Sequence, residues 1–440
     1  MLNFLKNKAI KNAGWIIGER IVQMALSLVV SVLSARYLGL SNYGSLNYTA
    51  SFVTFFSVFV TLGMDGVVIK KLIADPEKEG ELLGGGILLR AISSVICSVV
   101  IVTVVALLNP GDTEKLILVS LQSVQLLFLS VNLLDAWFQR YLKSRYVSLA
   151  KIVASVIVMG YKLWLLATAK SVEWFAFSNS LTAIIEAVVL LFFYKKSSVY
   201  KIRGNIQAGI GILKESYHYV LSGMMISWCS QMDKIMIGKM LSDASVGLYT
   251  VGVAVCNMWT FVPIAIINSF RPSILSLRQS GRMELYNLRL RQLYSFVIWL
   301  CLGVSVVVYI MAPTIIYLLY GQDYIGAAKT LKIAIWFETF SMIGVVRSIW
   351  LLAEDKSKYT KYFLVIGTGV NLVLNISLIP AWGIEGAALA TLITQITTSV
   401  IAPMMFKPTR EHTKIVFEAF CLTWWKDRKH LNEAENIPEK

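Results

Sequence analysis

The run ISWCSQMDKIMIGKM (226–240) carries Asp233 and Lys234 side by side in an otherwise largely apolar stretch. A charge at mid-membrane costs roughly 2.5–3.5 kcal/mol even on the lenient insertion scale, so such residues face a wet cavity or a partner and mark substrate or ion paths. The same logic singles out Arg20 beside Glu19, then Arg90, Arg271 and Arg347 among the cations. Among the acids it singles out Asp65, Asp135, Glu186 and Glu338. Lys234 is expected to line an aqueous cavity. Asp233, about 100° away around a helix, either lines it too or pairs with a neighbour. Arg90, Arg271 and Arg347 sit near helix ends, where snorkelling competes with ligand contact.

Uncharged polar residues line up with these charges. Asn47, Ser51, Thr54, Thr61 and Asp65 fall within an arc of about 80° on one helix, and Thr250, Asn257, Thr260, Asn268 and Arg271 do the same on another. Arg20, Gln23, Ser27, Ser31 and Ser34 share a face, as do Ser227, Ser230, Gln231 and Lys234. Asp135 shares a broad polar face with Gln122, Gln125 and Asn132, while Asn371 and Asn375 form an i, i+4 pair. Each hydroxyl or amide has a plain alternative duty, bridging membrane helices. As chemistry, the Arg and Lys residues suit a compact anion. The Ser, Thr, Asn and Gln stripes suit sugar hydroxyls. Glu19, Asp65, Asp135, Asp233 and Glu338 are candidates for coupling to H+ or Na+.

The elements that must position these residues follow from composition. Of 440 residues 56% are hydrophobic and only 15% charged, too few charges to cover a soluble surface of that size. Apolar stretches of about 20 residues, the length that crosses a bilayer, recur throughout. Twelve are expected, roughly 13–35, 45–69, 83–108, 114–139, 147–169, 174–194, 216–239, 247–275, 291–319, 329–352, 359–380 and 385–406. The fold class is therefore an all-α integral membrane protein. Alternate connections hold 27 Lys and Arg residues against five on the opposite side, which places both termini in the cytoplasm. The net charge of +15 is thus a topology signal, scattered between spans, and does not point to a nucleic-acid partner.

Other signals exclude function classes. The first span is long and carries Glu19 and Arg20, so it reads as an uncleaved helix. Five cysteines, four of them in spans, make neither a disulfide framework nor a metal site. Gly84-Gly85-Gly86 lacks the Lys-Ser/Thr of a phosphate loop, and no ATP site or other cofactor is expected. The connections are short and His218, His412 and His430 make no site, which argues against an enzyme.

An internal repeat organises the chain. At an offset of 203, ARYLGLSNYGSLN (35–47) lies over GKMLSDASVGLYT (238–250), pairing Arg36 with Lys239, Leu38 with Leu241 and Gly44 with Gly247. The same offset brings Asn47 onto Thr250, Thr54 onto Asn257 and Asp65 onto Asn268, so the polar stripes are in register. Six spans per half would make two lobes, 1–205 and 206–406, with a central cavity between them and a cytoplasmic tail at 407–440.

The segments ERIVQMALSLVVSVLSARYLGLSNYGSLNYTASF (19–52), TLGMDGVVIKK (61–71), QMDKIMIGKMLSDASVGLYTVGVAV (231–255) and NLVLNISLIPAWGIEGAALAT (371–391) resemble the polysaccharide repeat-unit flippases. These Wzx-like O-antigen and oligosaccharide flippases belong to the multidrug/oligosaccharidyl-lipid/polysaccharide exporter superfamily. The resemblance spans about residues 10–406, and its motifs are structural rather than catalytic. It implies movement of an undecaprenyl-pyrophosphate-linked oligosaccharide across the bacterial inner membrane by alternating access, driven by an ion gradient. Partners would be that lipid, the surrounding membrane lipids, H+ or Na+, and other polysaccharide-assembly proteins. The competing reading is a multidrug antiporter of the same superfamily, which would favour carboxylates and aromatics over cations in its cavity. A lipid II flippase would typically carry two further helices. In the tail, KIVFEAFCLTWWKDRK (414–429) reads either as a helix lying on the membrane surface or as a solvated segment.

Overall fold

The computed structural model describes residues 2–198 and 200–422. All twelve expected spans are helical. In order the helices are α1 (Leu2–Thr61), α2 (Asp65–Ala74), α3 (Glu79–Leu108), α4 (Thr113–Leu129), α5 (Leu134–Arg140), α6 (Ser144–Ala167) and α7 (Val172–Ser197). They continue as α8 (Ile206–Met240), α9 (Asp243–Asn257), α10 (Phe261–Gln279), α11 (Met283–Tyr320), α12 (Ala327–Ala353), α13 (Thr360–Ile396), α14 (Ala402–Met405) and α15 (Arg410–Phe420). Among the described residues there is no strand.

Eight segments are long and apolar enough to cross a membrane, nine if the bent pair α9 and α10 counts as one span. The difference from twelve has physical causes. The segments Gly18–Ala74 and Ser357–Met405 each contain two expected spans, broken by Gly39 (φ 72°) and Gly383 (φ 61°), a conformation open to glycine at no steric cost. Helix α8 is long enough but is not among the eight, because Ser227, Ser230, Gln231, Asp233 and Lys234 dilute its apolar residues. Along α3, Ile92, Val95, Ile96, Val99 and Val100 are exposed at helical spacing. An apolar stripe of that kind is what a lipid-facing helix presents.

The chain packs as two compact units, Met1–Gly247 and Leu248–Lys440. Helix α8 thus packs with the first unit, against α1 and α3. Small residues allow this: a Cβ on Gly223 would meet Val58, and one on Gly238 would meet the Tyr48 ring. The repeat has a structural echo here. A Cβ on Gly44 would come within 3.1 Å of the Gly247 nitrogen, and one on Gly247 within 3.5 Å of the Gly44 nitrogen, so the two repeat-equivalent glycines face each other. Beside them Lys115 Nζ reaches Asp243 Oδ2 at 2.9 Å and Asp112 Oδ2 at 3.2 Å.

The first unit centres on Val68, Leu72, Leu133, Leu134, Trp137, Phe138 and Leu190. A polar knot lies in contact with it. The Glu79 carboxylate, 1% exposed, accepts from Trp137 Nε1, from Arg140 Nη1 at 3.0 Å, from the Tyr141 hydroxyl at 2.9 Å and from Ser198 Oγ at 3.3 Å. The triple glycine is also explained. Side chains at Gly84 and Gly85 would collide with the backbone of Arg203 and Asn205, so the bare face of α3 seats the segment that follows α7. It is a packing motif.

The second unit centres on Tyr286, Leu290, Tyr294, Ile298, Trp350 and Phe363. Tail helix α15 belongs to this core, with Ile415, Val416 and Ala419 buried and Phe417 and Phe420 exposed. The tail therefore neither floats nor simply lies on a surface; it docks on α11 and α12, and residues 423–440 lie outside the described residues. Its anchor is His412, whose Nε2 is 2.7 Å from the Tyr294 hydroxyl. Ser295 Oγ donates to the Ala419 carbonyl and Arg291 pairs with Glu418.

Burial, aided by nearby Arg347, pushes the His412 imidazole down from its ordinary 6.5 to about 3. Undocked, His412 takes up a proton below about pH 6.5, whereas docked it does so only near 3. Docking of α15 is therefore fully stable above pH 6.5 and weakens as pH falls toward 3, by about 1.4 kcal/mol per pH unit. Amide exchange over residues 410–420, taken relative to its intrinsic pH dependence, should accelerate across that window, and His412→Phe should flatten the response.

Candidate functional site

The structure gathers ionisable side chains from four helices of the first unit. Lys151 on α6 reaches Asp135 on α5, Nζ to Oδ2 3.5 Å, and lies within electrostatic reach of Glu186 on α7 and Glu19 on α1. Glu19 is buried and also feels Arg20, which is itself exposed. Three carboxylates thus surround one lysine in an apolar bundle, where effective dielectric is low and each unpaired charge is costly. Asp135 Oδ1 and Glu186 Oε1 are buried without a hydrogen-bond partner, so the cluster has spare acceptor capacity. An arrangement of that kind can hold a proton or a small cation and change its charge when a helix moves.

Lys151 is the residue that periodicity missed. It stands near the start of the fifth span, where Lys is read as a topology mark. Its position one turn after Val147 and Ser148, which are buried and point the same way, was the available signal.

Next to this cluster is a cavity of about 380 Å³ within the first unit. Its polar lining is Thr54 and Ser57 from α1, Gln125 from α4, Asn132 from the 3₁₀ turn after it, and Asn179, Thr182 and Glu186 from α7. A volume in the range of about 300–1,000 Å³ suits a small organic ligand.

The remaining candidates are placed as follows. Arg90 is 1% exposed and donates to Asp65 Oδ1 at 2.9 Å, so it is paired and does not snorkel. Asp65 is not on one continuous helix with Asn47, Thr54 and Thr61, because Leu62 and Gly63 adopt positive φ and a new helix starts at Asp65. The stripe holds up to Thr61 and fails at its last member. Asn47 is half-buried and donates to the Tyr43 carbonyl at 2.7 Å, while Gln23 is half-buried on α1.

On α8, Asp233 is buried at 4% exposure and Lys234 is half-buried. Among the described residues no hydrogen bond or ion pair holds the Lys234 ammonium.

In the second unit Asn257, Asn268 and Arg271 are exposed, and α9 and α10 are bent by 42° at the break between them. Asn371 and Asn375 are fully buried, with Asn375 Nδ2 donating to Asn371 Oδ1 at 3.2 Å, the packing branch of the two readings. Glu338 is buried on α12. Arg347 is buried as well rather than snorkelling. It donates to the Thr398 carbonyl, left open by the π-helical turn Thr397–Ile401, and sits over the Phe363 ring at 4.9 Å. Among the described residues no group of three or more His, Cys, Asp or Glu side chains could hold a metal ion.

Comparison with known proteins fits this architecture. The family described as Polysaccharide biosynthesis protein matches residues 9–276, more than half of the chain. The chain belongs to that family. A second family, MatE, matches residues 219–377. Among relatives, the Probable flippase AglR of Haloferax volcanii is 23% identical over 406 residues, covering 88% of this chain and 80% of the relative. Lipid II flippase MurJ of Bacillus subtilis is 24% identical over 202 residues, 43% of this chain and 37% of its own.

Among solved structures, a lipid II flippase MurJ in an inward closed conformation superposes with a TM-score of 0.74 at 16% identity, covering 98% of this chain and 94% of that one. The Vibrio cholerae MATE transporter VcmN gives 0.61 at 14% identity, covering 94% and 99%. The all-α, multi-pass membrane fold is therefore shared with both groups.

Proposed function

We propose that this protein is a flippase that moves an undecaprenyl-pyrophosphate-linked oligosaccharide repeat unit from the cytoplasmic to the outer leaflet. The observation that carries the reading is the hydrogen-bonding cavity of the first unit beside the Lys151 cluster, polar chemistry that a purely structural bundle would not bury. The relationship, over 88% of this chain and 80% of the relative, to a protein named as a probable flippase supports it. Transport proceeds by alternating access of the lobes 1–205 and 206–406, in the bacterial inner membrane, with both termini cytoplasmic and without bond cleavage in the substrate. Arg20 and Lys234 attract the pyrophosphate, with Arg271 a further candidate. Arg90 supports Asp65 instead, given their ion pair. Glu19 and Asp135 are the first choices for H+ or Na+ coupling, ahead of Asp233 and Glu338. Other polysaccharide-assembly proteins would supply the substrate.

The second reading, a multidrug or organic-cation antiporter, is favoured by the MatE match and by the Glu186 carboxylate in the cavity. Leaflet-resolved movement of a synthetic polyprenyl-pyrophosphate oligosaccharide in proteoliposomes separates the two. Lys234→Ala and Arg20→Ala should each slow it by about tenfold or more, the equivalent of one lost charge-assisted contact of about 1.5–3 kcal/mol. Efflux of organic cations with no lipid movement would sink the flippase reading and promote the antiporter.

A further inference from the structure

The lining of the cavity in the first unit is weighted toward acceptors and holds one carboxylate, Glu186. The hydroxyl protons that line it are already spent on their own helices. Thr54 Oγ1 donates to the Ala50 carbonyl at 2.8 Å, Ser57 Oγ to the Thr54 carbonyl at 2.7 Å, and Thr182 Oγ1 to the Ser178 carbonyl at 3.0 Å. These oxygens therefore offer only lone pairs to anything in the cavity. Glu186 Oε1 and Asn132 Oδ1 are buried acceptors without a partner. No Lys or Arg is among the described residues that line the space, and the nearest cluster cation, Lys151, is engaged with Asp135. The hydroxyl oxygens and Asn132 Oδ1 thus set acceptors around the Glu186 carboxylate, beside the amides of Gln125, Asn132 and Asn179, which also carry donors, and a buried acceptor left unmatched costs its full desolvation penalty. Such an array binds groups that donate hydrogen bonds or carry positive charge. It repels a second carboxylate.

We propose that this cavity is a sugar subsite that accepts a hydroxyl- or ammonium-bearing ring of the translocated oligosaccharide and discriminates against acidic rings. The assignment rests on the flippase reading and adds a substrate class to it: repeat units whose ring at this position is neutral or an amino sugar. The pyrophosphate cannot occupy the same space, since Glu186 would oppose it, so the subsite handles the glycan end and leaves the anion to cations elsewhere. An organic cation shares the ammonium chemistry but not the ring hydroxyls, which separates the two sources.

The test uses the full chain in detergent and saturation-transfer NMR with methyl glucoside, glucosamine, glucuronate and a quaternary organic cation as probes. The neutral and amino rings should bind at least about fivefold more tightly than glucuronate, in line with the selectivity of sites whose polar groups must all be matched. Glu186→Gln, an isosteric change, should weaken glucosamine by about the same factor and narrow the gap to glucuronate. Asn132→Asp, which adds a second negative charge without changing shape, should widen that gap.

Glucuronate binding as tightly as the other rings overturns the proposal. So does binding of none of the rings, or Glu186-dependent binding of the organic cation alone. Leaflet movement of polyprenyl-pyrophosphate glycans in the same preparation judges the parent reading separately. Movement without ring selectivity overturns the subsite only, and movement of no lipid overturns the flippase assignment and the subsite with it.

Discussion

Replacing Lys151 with Met is expected to slow lipid-linked oligosaccharide movement by about a hundredfold, some 2.7 kcal/mol of barrier, while the protein still inserts. Lys151 lies within electrostatic reach of Glu19, Asp135 and Glu186 together. Without it these acids have no nearby compensating charge other than Arg20, which is exposed and stands beside Glu19 alone. Buried carboxylates left unpaired escape their desolvation cost by taking up protons rather than by unfolding the bundle. The cluster then stays neutral through the cycle and can no longer exchange a coupling ion. Lys151→Arg keeps the charge and should recover much of the rate. The measurement is leaflet-resolved movement at matched protein insertion, with and without an imposed proton or sodium gradient. Gradient-sensitive movement at the original rate in the Met variant would remove the cluster from the coupling mechanism.

The largest stability effect should come from Glu79→Ala. Four donors from α5, the turn after it and the end of α7 converge on that one carboxylate, and Arg140 is itself only 13% exposed. Removing one partner of a buried pair strands the other, at a cost of about 3–5 kcal/mol. For a unit of roughly 250 residues that corresponds to a midpoint lower by about 10 °C. Heating in the presence of a thiol-reactive dye would report it through the buried Cys97. Glu79→Gln should lie between the two, since its amide oxygen still accepts while its amide nitrogen faces donors. A midpoint unchanged in the Ala variant would show that water takes over the carboxylate's role.

Much of the architecture was legible without coordinates, because a bilayer imposes a one-dimensional rule. Twenty apolar residues must become a helix, and Lys and Arg sort to one side of the membrane. The twelve segments and the all-α class follow from that rule, and the repeat from an alignment of the chain with itself. The resemblance pointed to the right family for the same reason, since its motifs are those that shape and pack the helices. Even Gly44 and Gly247, aligned only by an offset of 203, turn out to face each other.

The site was less legible. Helical periodicity assumes an unbroken helix, and the positive φ at Leu62 and Gly63 took Asp65 out of the stripe that spacing had given it. Pairing across helices is invisible to spacing within one. Arg90 meets Asp65 from 25 positions away, and Asn371 turns to Asn375 inside the core.

The sequence by itself determined that this chain is a membrane bundle carrying charged and polar residues within its spans, residues that solvation by lipid makes costly and therefore singles out. Only the tertiary structure decided which of those residues meet: Lys151 among three acids, a polar cavity beside it, and a tail helix held by His412. Those choices depend on where helix breaks and small residues let neighbouring helices approach, and such contacts are set in three dimensions.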